Sequence, residues 1–204
     1  MDYINFAEIA VVIEKTLRTE LSEKRLAHSL STARTASALC IRFGLDANQG
    51  YLAGLSHDMA RELPFSQQEE IYNEHSSCLG SLASRASLES LREDEVFYRK
   101  MLHGPAAACI LCSRYGIREP DILEAVALHS TADEDMSALA RIIYIADKLE
   151  PTRKRPEDAD MVLKTFNLDA LFAYTVRCVV RWFEESGKPL SPYTQSLFRR
   201  MCAS

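Results

Sequence analysis

The stretch LCIRFGLDANQGYLAGLSHDMA, Leu39 to Ala60, aligns without a gap on LCSRYGIREPDILEAVALHSTA, Leu111 to Ala132. Leu, Cys, Arg, an aromatic, Gly, Leu or Ile, and Ala recur in order, and His57 falls on His129. Each block reads as the end of one helix, a glycine stop and a second helix. Apolar residues recur at i, i+3 and i+4, Gly44 suits a left-handed cap, and Asp46 suits the N-cap of the next helix. Hairpin grammar alone accounts for the glycine. It does not account for a histidine closing each second arm, nor for His28 and His103 upstream on the first arms.

Outward from these hairpins the same helical period continues, and period-2 alternation is nearly absent. The chain reads as an all-α, single-domain helical bundle, with an N-terminal helix in residues 1–20 packed on a main body of residues 21–204. In that first helix Ile9, Val12, Ile13 and Leu17 are expected to form one apolar face. The second, from about Ser22 to Phe43, is apolar on two sides, as a central helix is. Gly50 and Gly54 permit close helix approach. Residues 66–100 read as surface helices joined by a Ser-rich loop near 76–87. Residues 136–151 form a helix with Asp147 in its apolar face, followed by a charged turn. A long helix from Leu168 to Glu185 stops near Gly187, and Ser191-Pro192 starts a terminal helix.

Bulk properties narrow the function classes. A net charge of −5, with no Lys/Arg block longer than three, disfavours a duplex nucleic acid partner. The N-terminus is neither a signal peptide nor a membrane span, and no stretch reaches about 18 uninterrupted apolar residues. No membrane partner is expected, and the location expected is cytoplasmic. The six cysteines, among them Cys40, Cys109 and Cys178 at apolar helical positions, read as reduced thiols. Cys109 and Cys112 read as two buried thiols one turn apart.

Four of the five histidines, His28, His57, His103 and His129, sit at helix positions in apolar company; His75 lies in the polar stretch. Asp58 and Asp147 share that company, and a buried carboxylate is costly without a partner. Imidazole and carboxylate suit iron, manganese or zinc, and the lack of cysteine in the set disfavours a structural zinc site. Helices can aim such groups from distant positions at one point.

The order His28, His57-Asp58, His103, His129, Asp147 resembles the HD-domain phosphohydrolase superfamily in its six-ligand, dinuclear form. The words LAGLSHDMARELP, LHGPAAA, ALHSTA, IIYIADKLEPTR and GKPLSPYTQSLF are similar to the bacterial YqeK family, symmetrical diadenosine tetraphosphate hydrolases, over roughly residues 20 to 200. The resemblance implies one metal on His28, His57, Asp58 and Asp147 and a second on His103 and His129, with Asp58 bridging. The metals implied are two iron ions, with manganese or cobalt also compatible, holding a hydroxide that attacks the phosphoryl group. His57, Asp58 and Arg61 then belong to the catalytic set.

A dinucleoside polyphosphate also needs cationic donors, and Arg25, Arg61 and Arg153 are the expected ones. His103, the amides around Gly104, and Thr131 complete the expected substrate contacts. The chain departs from the family pattern in having Arg61 where Lys is usual, Ser130-Thr131-Ala132 for Thr-Thr-Gly, and Thr152 for Gly. Ala132 and Thr152 are expected to narrow backbone freedom near the site. The 65–102 segment suits a lid or part of a nucleoside pocket. Trp182 reads as core or subunit packing, and Tyr51, Tyr144 and Tyr193 as potential base platforms. Two alternatives stay open: an HD phosphohydrolase for another nucleotide, and a nucleotide-binding module without catalysis. An apolar helix face offers a homodimer contact.

Overall fold

The structure, a computed structural model, describes residues 5–84, 86–133 and 135–203. Residues 1–4 of the N-terminal segment, Arg85 of the Ser-rich stretch, Glu134 and Ser204 lie outside the described residues. Every regular element among the described residues is a helix.

Helix α1 (Phe6–Glu20) starts at Asn5, whose side chain accepts the Glu8 amide. It buries Ala10, Ile13 and Leu17 against the third helix. Burial of an Ile or Leu side chain stabilises by about 1.5–3 kcal/mol each, enough to dock one helix. Val12, expected on this face, is 54% exposed: the buried stripe runs through Ala10 instead.

Helix α2 (Glu23–Phe43) is central as expected, but its buried line is small and polar: His28, Ser29, Ser31, Thr32, Ala33 and Ala36 precede Leu39 and Cys40. Small side chains let neighbours come close. Helix α3 (Ala47–Ser56) exploits this, because a Cβ on Gly54 would lie 2.8 Å from Ala33 Cα. Gly44 at φ +74 ends α2, and Asp46 caps α3 by accepting the Asn48 amide at 2.7 Å.

Helices α4 (Phe65–His75), α5 (Ala86–Glu89) and α6 (Glu95–Met101) are linked by 3-10 turns over Ser76–Ser84 and Ser90–Glu93. The Ser-rich stretch is therefore wound, not an open loop, and it kinks at Gly80. Nor is the segment merely superficial: Tyr72, Leu79, Leu88 and Phe97 are buried. The 3.6-residue apolar pattern is diluted by Ser and Glu here, which hid four widely spaced core contacts.

The second hairpin is α7 (His103–Tyr115), Gly116 at φ +70, and α8 (Pro120–Leu128). Helix α9 (Ala138–Leu149) runs against α2, α3 and α8, so it touches both hairpins. Helices α10 (Ala159–Thr165), α11 (Leu168–Glu185) and α12 (Pro192–Ala203) complete the chain. Trp182 on α11 is 50% exposed, with the Lys188 ammonium 4.9 Å from its ring centre, so it is not a core residue. All six cysteines are free thiols, with Cys40, Cys109 and Cys112 buried. Among the described residues no helix is long and apolar enough to cross a membrane.

Candidate metal centre

The two hairpins and α9 bring His28, His57, Asp58, His103, His129 and Asp147 to one buried place, each at most 7% exposed. His57 and His129 occupy the turn of backbone just past α3 and α8. His57 Nδ1 lies 2.7 Å from Gly54 O, and His129 Nδ1 lies 2.7 Å from Val126 O. His103 Nδ1 lies 2.9 Å from Lys100 O, again three residues back. His28 Nδ1 instead meets Glu150 Oε1 at 2.9 Å.

These partners fix three tautomers. A peptide carbonyl or a carboxylate only accepts, so Nδ1 of His28, His57 and His129 carries the proton, and the Nε2 of each faces inward with a lone pair. His103 Nδ1 lies between an acceptor, Lys100 O, and a donor, Arg61 Nη1 at 2.8 Å, so its contacts suit either tautomer. Yet His28 Nε2 and His57 Nε2 are 3.2 Å apart, and His103 Nε2 and His129 Nε2 are 3.1 Å apart. Between His28 and His57, two lone pairs at that range repel unless a cation sits between them, and the second pair converges at the same spacing. The donor set therefore fits metal ions well.

The carboxylates complete it. Asp58 Oδ1 lies 3.3 Å from His103 Nε2 and 3.5 Å from His129 Nε2, while its Oδ2 lies 3.5 Å from His57 and 3.8 Å from His28. One oxygen thus faces each histidine pair. Asp147 Oδ1 is 3.1 Å from His28 Nε2 and 3.7 Å from His57 Nε2. His28, His57 and Asp147, and likewise His57, Asp58 and His129, offer ligand atoms all within 4.8 Å of one another.

Electrostatics explain how two buried aspartates stay ionised. Burial works against charge on Asp58, but the surrounding imidazoles, His57 foremost, hold its carboxyl well below the usual carboxylate range. Burial likewise opposes charge on Asp147, and Lys148 and Arg153 overcome it. Burial also disfavours a proton on His57, yet Asp58 and Asp147 together lift its pKa to about 9. Burial dominates at His129 and pushes it down to about 3, and it lowers His103 as well.

Cations rim the centre. Arg25 Nη1 donates to Asp58 Oδ2 at 2.5 Å, and Arg153 Nη2 donates to Asp147 Oδ1 at 2.6 Å. Arg61 Nη1 donates to Lys100 O at 2.9 Å and lies 3.2 Å from His103 Nε2. All three expected arginines reach the cluster. Gly104 and Thr131 are nearby in another capacity. Gly104 is buried where α7 crosses α8, since a Cβ there would meet Ala127 O at 2.8 Å. Thr131 is 1% exposed and its hydroxyl points back to Leu128 O at 3.4 Å, as a helix-end cap does. Tyr144 is a core residue packed edge-on to Phe172, so it offers no base platform.

Two charged residues escaped the sequence reading. Lys148 donates to Asp147 Oδ2 at 2.5 Å and to His129 O at 2.7 Å. Glu150 is wholly buried. Its signal was its spacing: three residues after Asp147, near the same face at the end of an apolar helix.

A helical bundle with a buried cluster of four inward-facing imidazoles and two carboxylates has the donor set of a protein class suited to hold divalent cations. The family model described as HD domain matches residues 25–152. The chain belongs to the HD domain family. Among its relatives, a Staphylococcus aureus protein named "Bis(5'-nucleosyl)-tetraphosphatase, symmetrical" is 31% identical over 78% of this chain and 77% of its own length. A Mycoplasma genitalium protein named "Probable nicotinate-nucleotide adenylyltransferase/Ap4A hydrolase" is 28% identical over 86% of this chain and 47% of its own. The chain thus spans about half the length of the Mycoplasma relatives it matches. A crystal structure from Clostridium acetobutylicum, described as a predicted HD superfamily hydrolase involved in NAD metabolism, superposes with a TM-score of 0.76 at 27% identity. It covers 95% of this chain and 96% of that one.

Proposed function

We propose that the chain is a two-metal phosphohydrolase that splits diadenosine tetraphosphate symmetrically into two ADP. The observation that carries this reading is the convergence of inward-facing Nε2 atoms in two histidine pairs, with one Asp58 oxygen toward each pair. His28, His57 and Asp147 would hold one cation and His103 and His129 the other, with Asp58 serving both. Iron is the metal proposed, and manganese or cobalt suits the same donors. Such a pair supplies Lewis acidity and brings the ionisation of water close to neutral pH.

The chain's own residues handle the rest of a highly anionic substrate. Arg25 and Arg153 now lie on the two aspartates, and Arg61 beside His103. With cations held on those carboxylates, the guanidinium forks would be free to take phosphate oxygens, which suit their geometry. Lys148, braced on His129 O, stays as a fixed charge. Burial of the cluster keeps bulk water away and strengthens each of these contacts.

The reaction balances simply. A water oxygen bonds to one of the two central phosphorus atoms. The bond from that atom to the oxygen it shares with the other central phosphorus breaks, and that oxygen leaves with the electron pair on the second ADP. The water's protons pass to the products and the solvent, giving two ADP. The names of the relatives support this substrate class.

The test is product analysis with protein reconstituted with Fe(II), Mn(II) or Co(II) in ¹⁸O-water. ADP should be the only nucleotide formed, with label in one of each two molecules. ATP plus AMP would overturn the symmetrical cut. Absence of turnover with every metal would overturn the enzyme reading, and faster turnover of a mononucleotide at equal metal loading would move the assignment to another nucleotide.

A further inference from the structure

Three of the four central histidines have Nδ1 against a peptide carbonyl three residues back, and His28 alone has it against a carboxylate. We infer that Glu150 is a positioning residue that, by accepting the His28 ring proton, makes the His28–His57–Asp147 position the tighter of two unequal cation positions. The inference rests on the metal reading above and deepens it.

Glu150 is built to be fixed. Pro151 disfavours helical backbone before it, and Glu150 ends α9 at φ −64, ψ 150. Its Oε2 accepts the Thr152 amide at 2.6 Å, and its Oε1 accepts the Thr152 hydroxyl at 2.6 Å as well as the His28 ring. With both oxygens engaged, the carboxylate cannot turn away, and the His28 ring is held with Nε2 toward Asp147. Thr152, the residue expected to cramp the site, instead braces Glu150, and its backbone is not in the left-handed region.

The chemistry follows from the acceptor. A carboxylate on one ring nitrogen makes the other a stronger donor than a carbonyl does, and such partners orient and tune metal-binding imidazoles. The carboxylates point the same way. The His28 position is faced by Asp147 and by Asp58 Oδ2, and is backed by Glu150, whereas the His103–His129 position has only Asp58 Oδ1. Arginines attend both positions, Arg153 Nη2 lying 3.2 Å from His28 Nε2 and Arg61 Nη1 3.2 Å from His103 Nε2, so the difference lies in the carboxylates that ligate and back the metal.

Mn(II) titration of the metal-free protein, read by the electron paramagnetic resonance of free Mn(II) and by melting temperature, tests this. Wild type should bind two ions with unequal affinity. In Glu150→Gln the tighter position should weaken by about 10–100-fold, while the weaker one stays within about threefold. The metal-free melting temperature should hardly move, whereas the rise on adding Mn(II) should shrink. A purely structural role would do the reverse. Repeating the titration in His129→Gln, which spares the His28 position, assigns the affected site. Thr152→Val, exposed and conservative, frees one brace of Glu150 and should weaken the same site by a smaller factor; it carries the test if Glu150→Gln does not fold. Two sites weakened alike, or neither, overturns the inference and leaves the metal reading standing. A wild type that binds no Mn(II), Fe(II) or Co(II) overturns both.

Discussion

His57 and His129 are equivalent residues in two copies of one hairpin: each closes the second arm, each is held by the carbonyl three residues back at 2.7 Å, and their rings stand edge to face with centres 4.8 Å apart. The repeat thus places two imidazoles side by side from opposite hairpins. His57 belongs to both groups of convergent ligand atoms and His129 to one. His129→Gln should therefore cost about one metal per chain by elemental analysis, and His57→Gln should cost more. Chelation of the wild type should lower its melting temperature by about 5–10 °C relative to protein at a metal concentration 100 times Kd. Equal metal content in the two variants would confine the influence of His57 to the position it makes with His28 and Asp147.

Ala132 is the one non-glycine among the described residues with positive φ, at +58. An L side chain in that region costs about 1–2 kcal/mol, and part of this is offset by the lower chain entropy of alanine when unfolded. The surroundings hold it there: Thr131 O accepts the Thr194 hydroxyl at 2.9 Å, and Asp133 accepts Ser87 at 2.8 Å and Tyr193 at 2.9 Å. Ala132→Gly should accordingly stabilise the protein by about 0.5–1 kcal/mol, a rise of about 1–4 °C in melting temperature. A lower melting temperature would mean that the strain is absent.

The residues legible in the sequence were those whose type contradicts their surroundings. Four histidines and two aspartates stood out because an apolar helix face has no use for them, and the glycine stops stood out because only left-handed backbone needs them there. Glu150 escaped for the opposite reason, its spacing from Asp147 being its one faint signal. It lies beside Pro151 and a charged turn, where a glutamate is ordinary, and only the packing of α9 against α2 turns it toward His28. Val12 and Trp182 misled in the same way, since apolar type marks a helix as amphipathic but does not fix which few degrees of its face meet the neighbour. Tyr72, Leu79, Leu88 and Phe97 needed the path of 3-10 turns across α7, a tertiary fact without a local signature.

Gly104 offers a sharper probe of helix approach than of phosphate binding. A methyl group there would stand 2.8 Å from Ala127 O, 3.2 Å from Val126 O and 3.3 Å from His129 Cε1. Two of these are rigid helix backbone, so α7 and α8 must separate. Gly104→Ala should destabilise by about 1–3 kcal/mol in urea unfolding. It should also loosen the metal position made by His103 and His129 while sparing that of His28. Unchanged stability would show that the helices have room to spare.

Cys40 and Cys109 give the fold an alkaline limit. Burial pushes each thiol up to about 12 from an ordinary 9, so near pH 8 both are inert toward iodoacetamide, while exposed Cys202 is not sterically shielded. Below pH 9 the thiols are protonated in both folded and unfolded chains, and their contribution to stability is complete. Between pH 9 and 12 only the unfolded chain loses those protons, so stability falls with rising pH, by about 1.4 kcal/mol per pH unit for each thiol at 25 °C. Urea unfolding at a series of pH values should show that limb, and Cys40→Ala should flatten it by roughly one thiol's share while lowering stability near neutrality. Cys40 sits against Gly50, where a Cβ would meet its sulfur at 2.4 Å, so the sulfur is enclosed by packing that no small shift opens to hydroxide. An alkaline slope identical in Cys40→Ala and wild type would place the Cys40 titration outside the folding equilibrium.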